Sequence, residues 1–243
     1  MKISTSEFWY KHFCSKLNIE KINWLQKPEL SEIEKSNILD SLKAWQLGET
    51  SDGSHLLKAA IKYSDKINDG YYPEAIKLFI KEEQKHGNNL GKYLDLIGEK
   101  RVKKDWGDSL FRKIRYYNTN MELWTLAVIT VESTAQIFYQ SLKDATKCNL
   151  LKEICTDILF DEAFHIQFQL ERMSIIYFSK NNFNRFIAFR LYTLFYFITI
   201  SVVWFAHRNV FKAGNNGFFR YFKKMRYKYA KTFGKMKSWK QIE

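Results

Sequence analysis

Apolar residues recur every three or four positions along most of the chain, the spacing that gathers them on one face of an α-helix. Ser31-Glu32-Ile33-Glu34 has the form of a capping box, and it predicts a helix over about 31–66. Further helices are predicted over about 73–98, 120–143 and 149–178, with a short helix near 108–116. The sequence therefore predicts an all-α fold with four long helices in its first 180 residues.

Two glycines, Gly48 and Gly53, interrupt the first of these helices. Glycine inside a helical pattern often marks a close approach between helices or a distortion beside a site. The predicted helix over 120–143 is apolar at Leu126, Ile129 and Ile137, which favours a buried position. We expect the interior of the fold to lie along this helix.

The chain changes character after residue 180. Residues 191–206 carry no formal charge, but this run is shorter than the roughly 20 residues that a membrane-spanning helix needs. Residues 218–239 then interleave Lys and Arg with Phe, Tyr and Trp, a pattern typical of helices on anionic membrane surfaces. The prediction is a bundle over 1–180 followed by an apolar and then a basic aromatic helix over 181–243.

The charge follows the same division. Residues 181–243 contain 13 Lys and Arg against the single acid Glu243, whereas residues 1–180 contain 26 bases and 25 acids. Three interpretations of the extension stay open: a helix that covers the bundle, a membrane contact, or a surface for another acidic macromolecule. Nucleic acid is the least favoured partner, because no nucleic-acid fold signature is present.

Cysteine usage and the N-terminus bear on location. The three cysteines, Cys14, Cys148 and Cys155, have no zinc-like or redox C-x-x-C spacing, and we expect the last two to be buried thiols. Lys2 is followed by Ser, Thr and Glu, without the apolar run of a signal peptide. These features predict a cytoplasmic protein, peripheral to the inner face of the membrane if the extension contacts lipid.

Two near-identical boxes carry the candidate chemistry: Glu82-Glu83-Gln84-Lys85-His86 and Asp161-Glu162-Ala163-Phe164-His165. Each has the form acid-Glu-x-x-His, and side chains three positions apart project from one face of a helix. A dinuclear metal site in a four-helix bundle needs two such motifs and one Glu from each remaining helix. Glu49 lies 34 residues before Glu83, and Glu132 lies 30 before Glu162.

The order Glu, Glu-x-x-His, Glu, Glu-x-x-His predicts a two-metal centre. Apolar flanks around the second box oppose the alternative of solvated helix faces, since buried carboxylates need a cation or a strong hydrogen bond. Asp161 and Glu82 either accept a hydrogen bond from a ligand histidine or face solvent. Tyr139 either relays an electron or packs. Four apolar side chains are expected to shield the centre: Ile129, Ile137, Phe160 and Phe164.

At these boxes the chain resembles the ferritin-like superfamily and, within it, the soluble acyl-carrier-protein desaturases. Residues 82–94 look like the desaturase stretch E-E-N-R-H-G-D-L-L-N-K-Y-L, and residues 161–165 look like its D-E-K-R-H. Residues 45–49, Trp-Gln-Leu-Gly-Glu, look like a segment of bacterial ferritin-like proteins. Where the desaturases have E-R-A-T, this chain has Glu132-Ser133-Thr134-Ala135, with the threonine one position earlier.

The resemblance covers residues 45–170 and implies a ferritin-like four-helix bundle with a di-iron centre. It implies two iron ions, with manganese as the alternative metal, and dioxygen as co-substrate. The implied ligands, which are also the implied catalytic residues, are Glu49, Glu83, His86, Glu132, Glu162 and His165.

The expected activity is desaturation or hydroxylation of an apolar, acyl or lipid-like substrate, with electrons from a partner reductase. Residues 181–243 would attract an acidic acyl carrier protein or an anionic membrane, and a homodimer stays open. One alternative is a ferritin-like ferroxidase that handles iron without an organic substrate. Another is a membrane-bound interaction protein whose metal is structural.

Overall fold

The computed structural model describes residues 3–17, 19–107, 109 and 120–238. Eight helices lie wholly within these residues, and the described residues include no strand. The all-α prediction is confirmed to this extent. The helices are α1 Ser6–Cys14, α2 Glu32–Glu49, α3 Ser54–Ile67, α4 Tyr71–Leu96, α5 Met121–Ala145, α6 Asn149–Phe178, α7 Asn182–Ala213 and α8 Phe218–Ser238.

The capping box that begins α2 forms as predicted. The Glu34 backbone N–H donates to Ser31 Oγ at 3.3 Å, and the Ser31 backbone N–H donates to the Glu34 carboxylate at 2.9 Å. The single helix predicted over 31–66 is wrong, because α2 ends at Glu49 and α3 begins at Ser54. Gly53 has φ +64°, and a Cβ there would lie 2.6 Å from Ile80 Cδ1, so the break needs glycine.

The predicted helices over 73–98, 120–143 and 149–178 form within a few residues of their expected bounds, and α8 starts as expected, whereas α7 extends nine residues before and seven residues after the uncharged run 191–206. The predicted helix near 108–116 and the last predicted residue of the basic helix, Trp239, lie outside the described residues. Helix α1 was not predicted. Its Thr5 cap accepts a hydrogen bond from the Phe8 N–H, and the indole of Trp9 donates to Glu171 on α6 at 2.7 Å.

Four helices meet around the fold's interior: α5 packs along α6, α2 packs on α4 and α5, and α4 packs on α6. A large buried cluster of side chains from these helices continues into α7 and α8. A second buried cluster joins α1, α3 and α4 around Trp9 and Phe79. Glu49, Glu83, Glu132 and Glu162 thus come from four helices that share one interior.

Helices α7 and α8 pack on this group of helices. Helix α7 contacts α2, α5, α6 and α8, and α8 contacts α5 and α6 as well. The turn between α7 and α8 fits closely on α5: a Cβ at Gly214 would lie 2.2 Å from the Ser141 carbonyl oxygen, and Asn216 Nδ2 donates to Ser141 Oγ at 2.8 Å. The predicted apolar helix therefore has one face built into the core.

Candidate metal centre

The structure brings all six predicted ligand side chains together. Their donor atoms form two overlapping sets in which every atom lies within 4.8 Å of the others. We call the first set, Glu49, Glu83 and His86, the Glu49 group. We call the second set, Glu83, Glu132, Glu162 and His165, the Glu132 group. Glu83 belongs to both.

The donor atoms of these groups are buried, and several have no hydrogen-bond partner among the described residues. They are Nδ1 of both His86 and His165, Oε1 of Glu83, and both carboxylate oxygens of Glu162. His165 Nδ1 and Glu83 Oε1 are 2.7 Å apart but do not have hydrogen-bond geometry. Since buried polar atoms are nearly always partnered, this convergence of oxygen and nitrogen donors fits metal ions.

The other nitrogen of each imidazole has a carboxylate partner. His86 Nε2 lies 3.3 Å from Asp161 Oδ2, and His165 Nε2 lies 2.7 Å from Glu82 Oε2. Each acid thus contacts the histidine of the other box: Asp161 of the second box contacts His86 of the first, and Glu82 of the first box contacts His165 of the second. A protonated Nε2 that donates to these acids leaves Nδ1 available to a metal, as in other carboxylate–histidine–metal arrangements.

Burial and neighbouring charges shift the pKa values of the carboxyl groups in the Glu49 and Glu132 groups. Burial and the nearby carboxylates of Glu83 and Glu162 raise the pKa of Glu49 well above its usual value. Burial raises the pKa of Glu132 strongly, again with the neighbouring carboxylates adding to the effect. Burial also opposes ionisation of Glu83, but the adjacent His165 outweighs it and lowers the pKa of Glu83 to about 2. Divalent cations would replace the protons on Glu49 and Glu132.

Tyr139 is part of the centre's surroundings. It is buried on α5, and its hydroxyl donates to Glu49 Oε1 at 2.5 Å. Its ring lies 5.6 Å from that of Trp45 in an edge-on arrangement. Sequence spacing placed Tyr139 on the same face as Glu132, but the contact with Glu49 depends on how α2 packs against α5.

A cavity of about 240 Å³ adjoins the centre and includes Glu49, Glu83 and Glu132 in its lining. Side chains from α4, α5 and α7 give it apolar walls. These include Phe79, Trp124, Val128, Val131, Val202 and Val203. The sequence did not indicate that α7 lines this cavity, because its residues lie far from the two boxes along the chain.

The apolar shield predicted from four side chains is only half correct. Ile129 and Ile137 are buried, as expected. Phe160 is 53% exposed, and its ring lies 4.8 Å from the Lys16 ammonium. Phe164 packs on His12, with ring centroids 4.5 Å apart. Phe160 points to solvent, and Phe164 is partly buried against the second buried cluster, because the neighbouring helical positions, Asp161 and His165, take the inner face.

The prediction that Cys148 and Cys155 are buried is confirmed, and Cys14 is exposed. Burial raises the pKa of the Cys155 thiol far above its usual value, so this thiol stays protonated. Both buried cysteines thus act as small apolar side chains in the core.

Comparison with protein-family models, with curated proteins and with solved structures finds no match for this chain. The interpretation of the centre therefore depends on its own donor atoms, burial and surroundings.

Proposed function

We propose that this protein is a ferritin-like di-iron oxidoreductase that uses dioxygen to desaturate or hydroxylate an apolar, acyl or lipid-like substrate. One observation carries the proposal: unpartnered, buried donor atoms from two Glu-x-x-His boxes converge with Glu49 and Glu132 beside an apolar cavity. The mutual packing of α2, α4, α5 and α6 supports a four-helix bundle around the metals.

The donor set suits two divalent ions. The Glu49 group would hold one ion and the Glu132 group the other, with Glu83 facing both. Four carboxylates balance the charge of two such ions, and mixed carboxylate and imidazole ligands suit iron, with manganese as the alternative. When bound, the ions would supply the binding and reduction of dioxygen needed to oxidise a C–H bond.

The surrounding residues would hold this set in place. Asp161 and Glu82 accept hydrogen bonds from Nε2 of the two histidines and so fix both rings with Nδ1 toward the ions. Tyr139 donates to Glu49 and fixes one of its carboxylate oxygens. These contacts hold the side chains of His86, His165 and Glu49 in place.

The cavity supports an organic substrate. Its walls beside Glu49 and Glu132 come from aliphatic and aromatic side chains, among them Trp124, Val128 and Val131. Such walls accept an apolar chain, while polar side chains, among them Asp52, His55 and Asp105, line other parts of the cavity. The larger, apolar share of the lining favours oxidation of an apolar compound over iron handling. Electrons would come from a partner reductase.

The test is metal loading followed by oxygen uptake. Protein purified without oxygen is loaded with ferrous ion, its bound iron is counted, and oxygen consumption is then measured. We expect about two irons per chain, one round of oxygen consumption by the ferrous protein, and continued consumption only when a reductant is added. The variant Glu83→Ala should lose both properties, while Glu74→Gln should keep them, since Glu74 pairs with Lys77 on the outer part of the same helix.

Three outcomes would overturn the proposal. Wild-type protein that binds no iron would exclude the centre. Iron that is bound but unreactive toward oxygen, with Glu83→Ala failing to fold, would indicate a structural metal. Repeated oxidation of many irons per chain into a mineral would indicate iron handling instead of oxidation of an organic substrate.

A further inference from the structure

An apolar stripe runs along the outer face of α7. Its members are separated by three or four positions, or multiples of them, and so lie on one side of the helix. They are at least 40% exposed: Phe183, Phe186, Ile187, Leu191, Leu194, Ile198 and Phe205. From Leu191 to Phe205 the stripe extends for about 21 Å at 1.5 Å per residue. A continuous exposed apolar surface of this kind marks an interaction site.

The opposite face of α7 is fixed to the protein. The Tyr192 hydroxyl donates to Glu122 on α5, Tyr196 Oη donates to the Met225 carbonyl at 3.1 Å, and Tyr221 Oη on α8 donates to the Ile200 carbonyl at 3.0 Å. Helix α7 is long and apolar enough to cross a membrane by length and composition alone. Crossing would break these buried contacts, so the geometry favours a helix that lies flat against a surface.

Cations border the stripe. Arg190 and Arg208 are exposed at the two ends of the uncharged run of α7, and Arg208 follows a kink at His207. At the N-terminal end, Arg185, Arg190 and Lys237 of α8 line one surface cavity together with Phe186. Among the described residues, no carboxylate forms an ion pair with Arg190, Arg208 or Lys237. An apolar stripe edged by unpaired cations is complementary to a bilayer with anionic headgroups.

We propose that this face of α7 docks on an anionic lipid bilayer, with the helix axis in the plane of the interface. Leu194 and Ile198 would enter the acyl region, and Arg190 and Arg208 would contact phosphate. Nucleic acid also attracts cations, but four of the seven stripe residues are aliphatic and offer no partner for bases or phosphates. The bilayer therefore fits the apolar and the charged parts of the surface together.

Docking would also place the cavity beside the lipid. Val202 and Val203 line the cavity, and Phe205, one turn away on α7, faces outward. If the proposed function holds, a membrane acyl chain is then the substrate class. Docking itself does not depend on metal, so failure of one proposal leaves the other testable.

The experiment is co-sedimentation of the full chain with phosphatidylcholine vesicles, with and without phosphatidylglycerol. We expect binding that needs the anionic lipid. The double variant Leu194→Glu/Ile198→Glu should bind at least about a hundredfold more weakly, because it lacks the two apolar side chains that would be buried in the bilayer. The matched control, Leu25→Glu/Ile33→Glu, changes residues that are 94% and 77% exposed elsewhere, and it should bind like wild type.

Folding and charge are checked separately. Each variant should keep the wild-type helix content by circular dichroism and its bound metal, because the substituted side chains face solvent. Arg190→Gln/Arg208→Gln should weaken binding only to the anionic vesicles. The proposal is overturned if wild type ignores both vesicles, if the control loses binding equally, or if single-stranded nucleic acid displaces the protein from lipid through the same cations.

Discussion

Replacing His86 by alanine should remove one metal ion and leave the other. His86 is a member of the Glu49 group alone, whereas His165 is a member of the Glu132 group alone. Glu83 belongs to both groups, so Glu83→Ala should affect both ions. The two overlapping sets therefore predict a graded series of wild type, one-ion and no-ion proteins.

The magnitude follows from linkage. An ion that binds only the folded chain, at about 100 times its dissociation constant, stabilises it by about 2.7 kcal/mol. Two ions give about 5 kcal/mol. In a chain of this size about 1 kcal/mol shifts the melting temperature by about 2–4 °C. Metal should thus raise the melting temperature of wild type by about 10–20 °C, that of His86→Ala by about half as much, and that of Glu83→Ala very little.

The assay compares each variant with itself, with and without metal. Chelated and dialysed protein is titrated with Mn²⁺, which avoids reaction with oxygen, and is melted in a scanning calorimeter while bound metal is counted. Comparing shifts within one variant removes its effect on the metal-free fold. Glu74→Gln serves as the control and should match wild type. A full wild-type shift in Glu83→Ala, or an equal shift with Ca²⁺, would refute the assignment of ligands.

Three further predictions concern the surroundings of the centre. In Gly87→Ala a Cβ would lie 3.0 Å from the Glu49 carbonyl carbon, so the affinity for metal, measured by Mn²⁺ titration, should fall at least about tenfold. The control Gly48→Ala, whose Cβ would have no atom within 4 Å, should retain the wild-type affinity. Val128→Phe should fill the cavity, and we expect weaker binding of an apolar fluorophore with unchanged metal content. Burial lowers the pKa of His207 from 6.5 to about 4. The unfolded chain therefore binds more protons between these values, and stability should fall by about 1–3 kcal/mol as pH drops through this window; in urea titrations His207→Gln should flatten that dependence.

The helices and the convergence of the candidate ligands were predictable from the sequence because both are periodic signals. Helical spacing fixes which side chains share a face, and two Glu-x-x-His boxes with matched glutamates place donors on four helices. The sequence drew attention to Gly48 and Gly53, but it did not predict that they separate two helices, α2 and α3. The break depends on Gly53 adopting a left-handed conformation against Ile80, a contact between residues far apart in sequence.

The surroundings of the centre were less accessible to sequence reasoning. Each box has an acid next to its glutamate in the sequence. Only the packing of α4 against α6 shows that Asp161 contacts His86 and that Glu82 contacts His165. Phe160 illustrates the reverse error. Apolar flanks suggested that it faces inward, yet helical geometry gives the inner face to Asp161 and His165, and the phenylalanine covers lysine side chains outside.

The centre is costly to the fold, and that cost is itself an argument for function. Glu132 and Glu162 are 5% and 0% exposed, and burial raises the pKa of Glu132 well above its usual value. Well-packed apolar side chains at such positions are often neutral or more stable by about 1–4 kcal/mol. A chain selected for stability alone would not bury four carboxylates around one point. Their retention together with two oriented imidazoles is best explained by ions that bind between them.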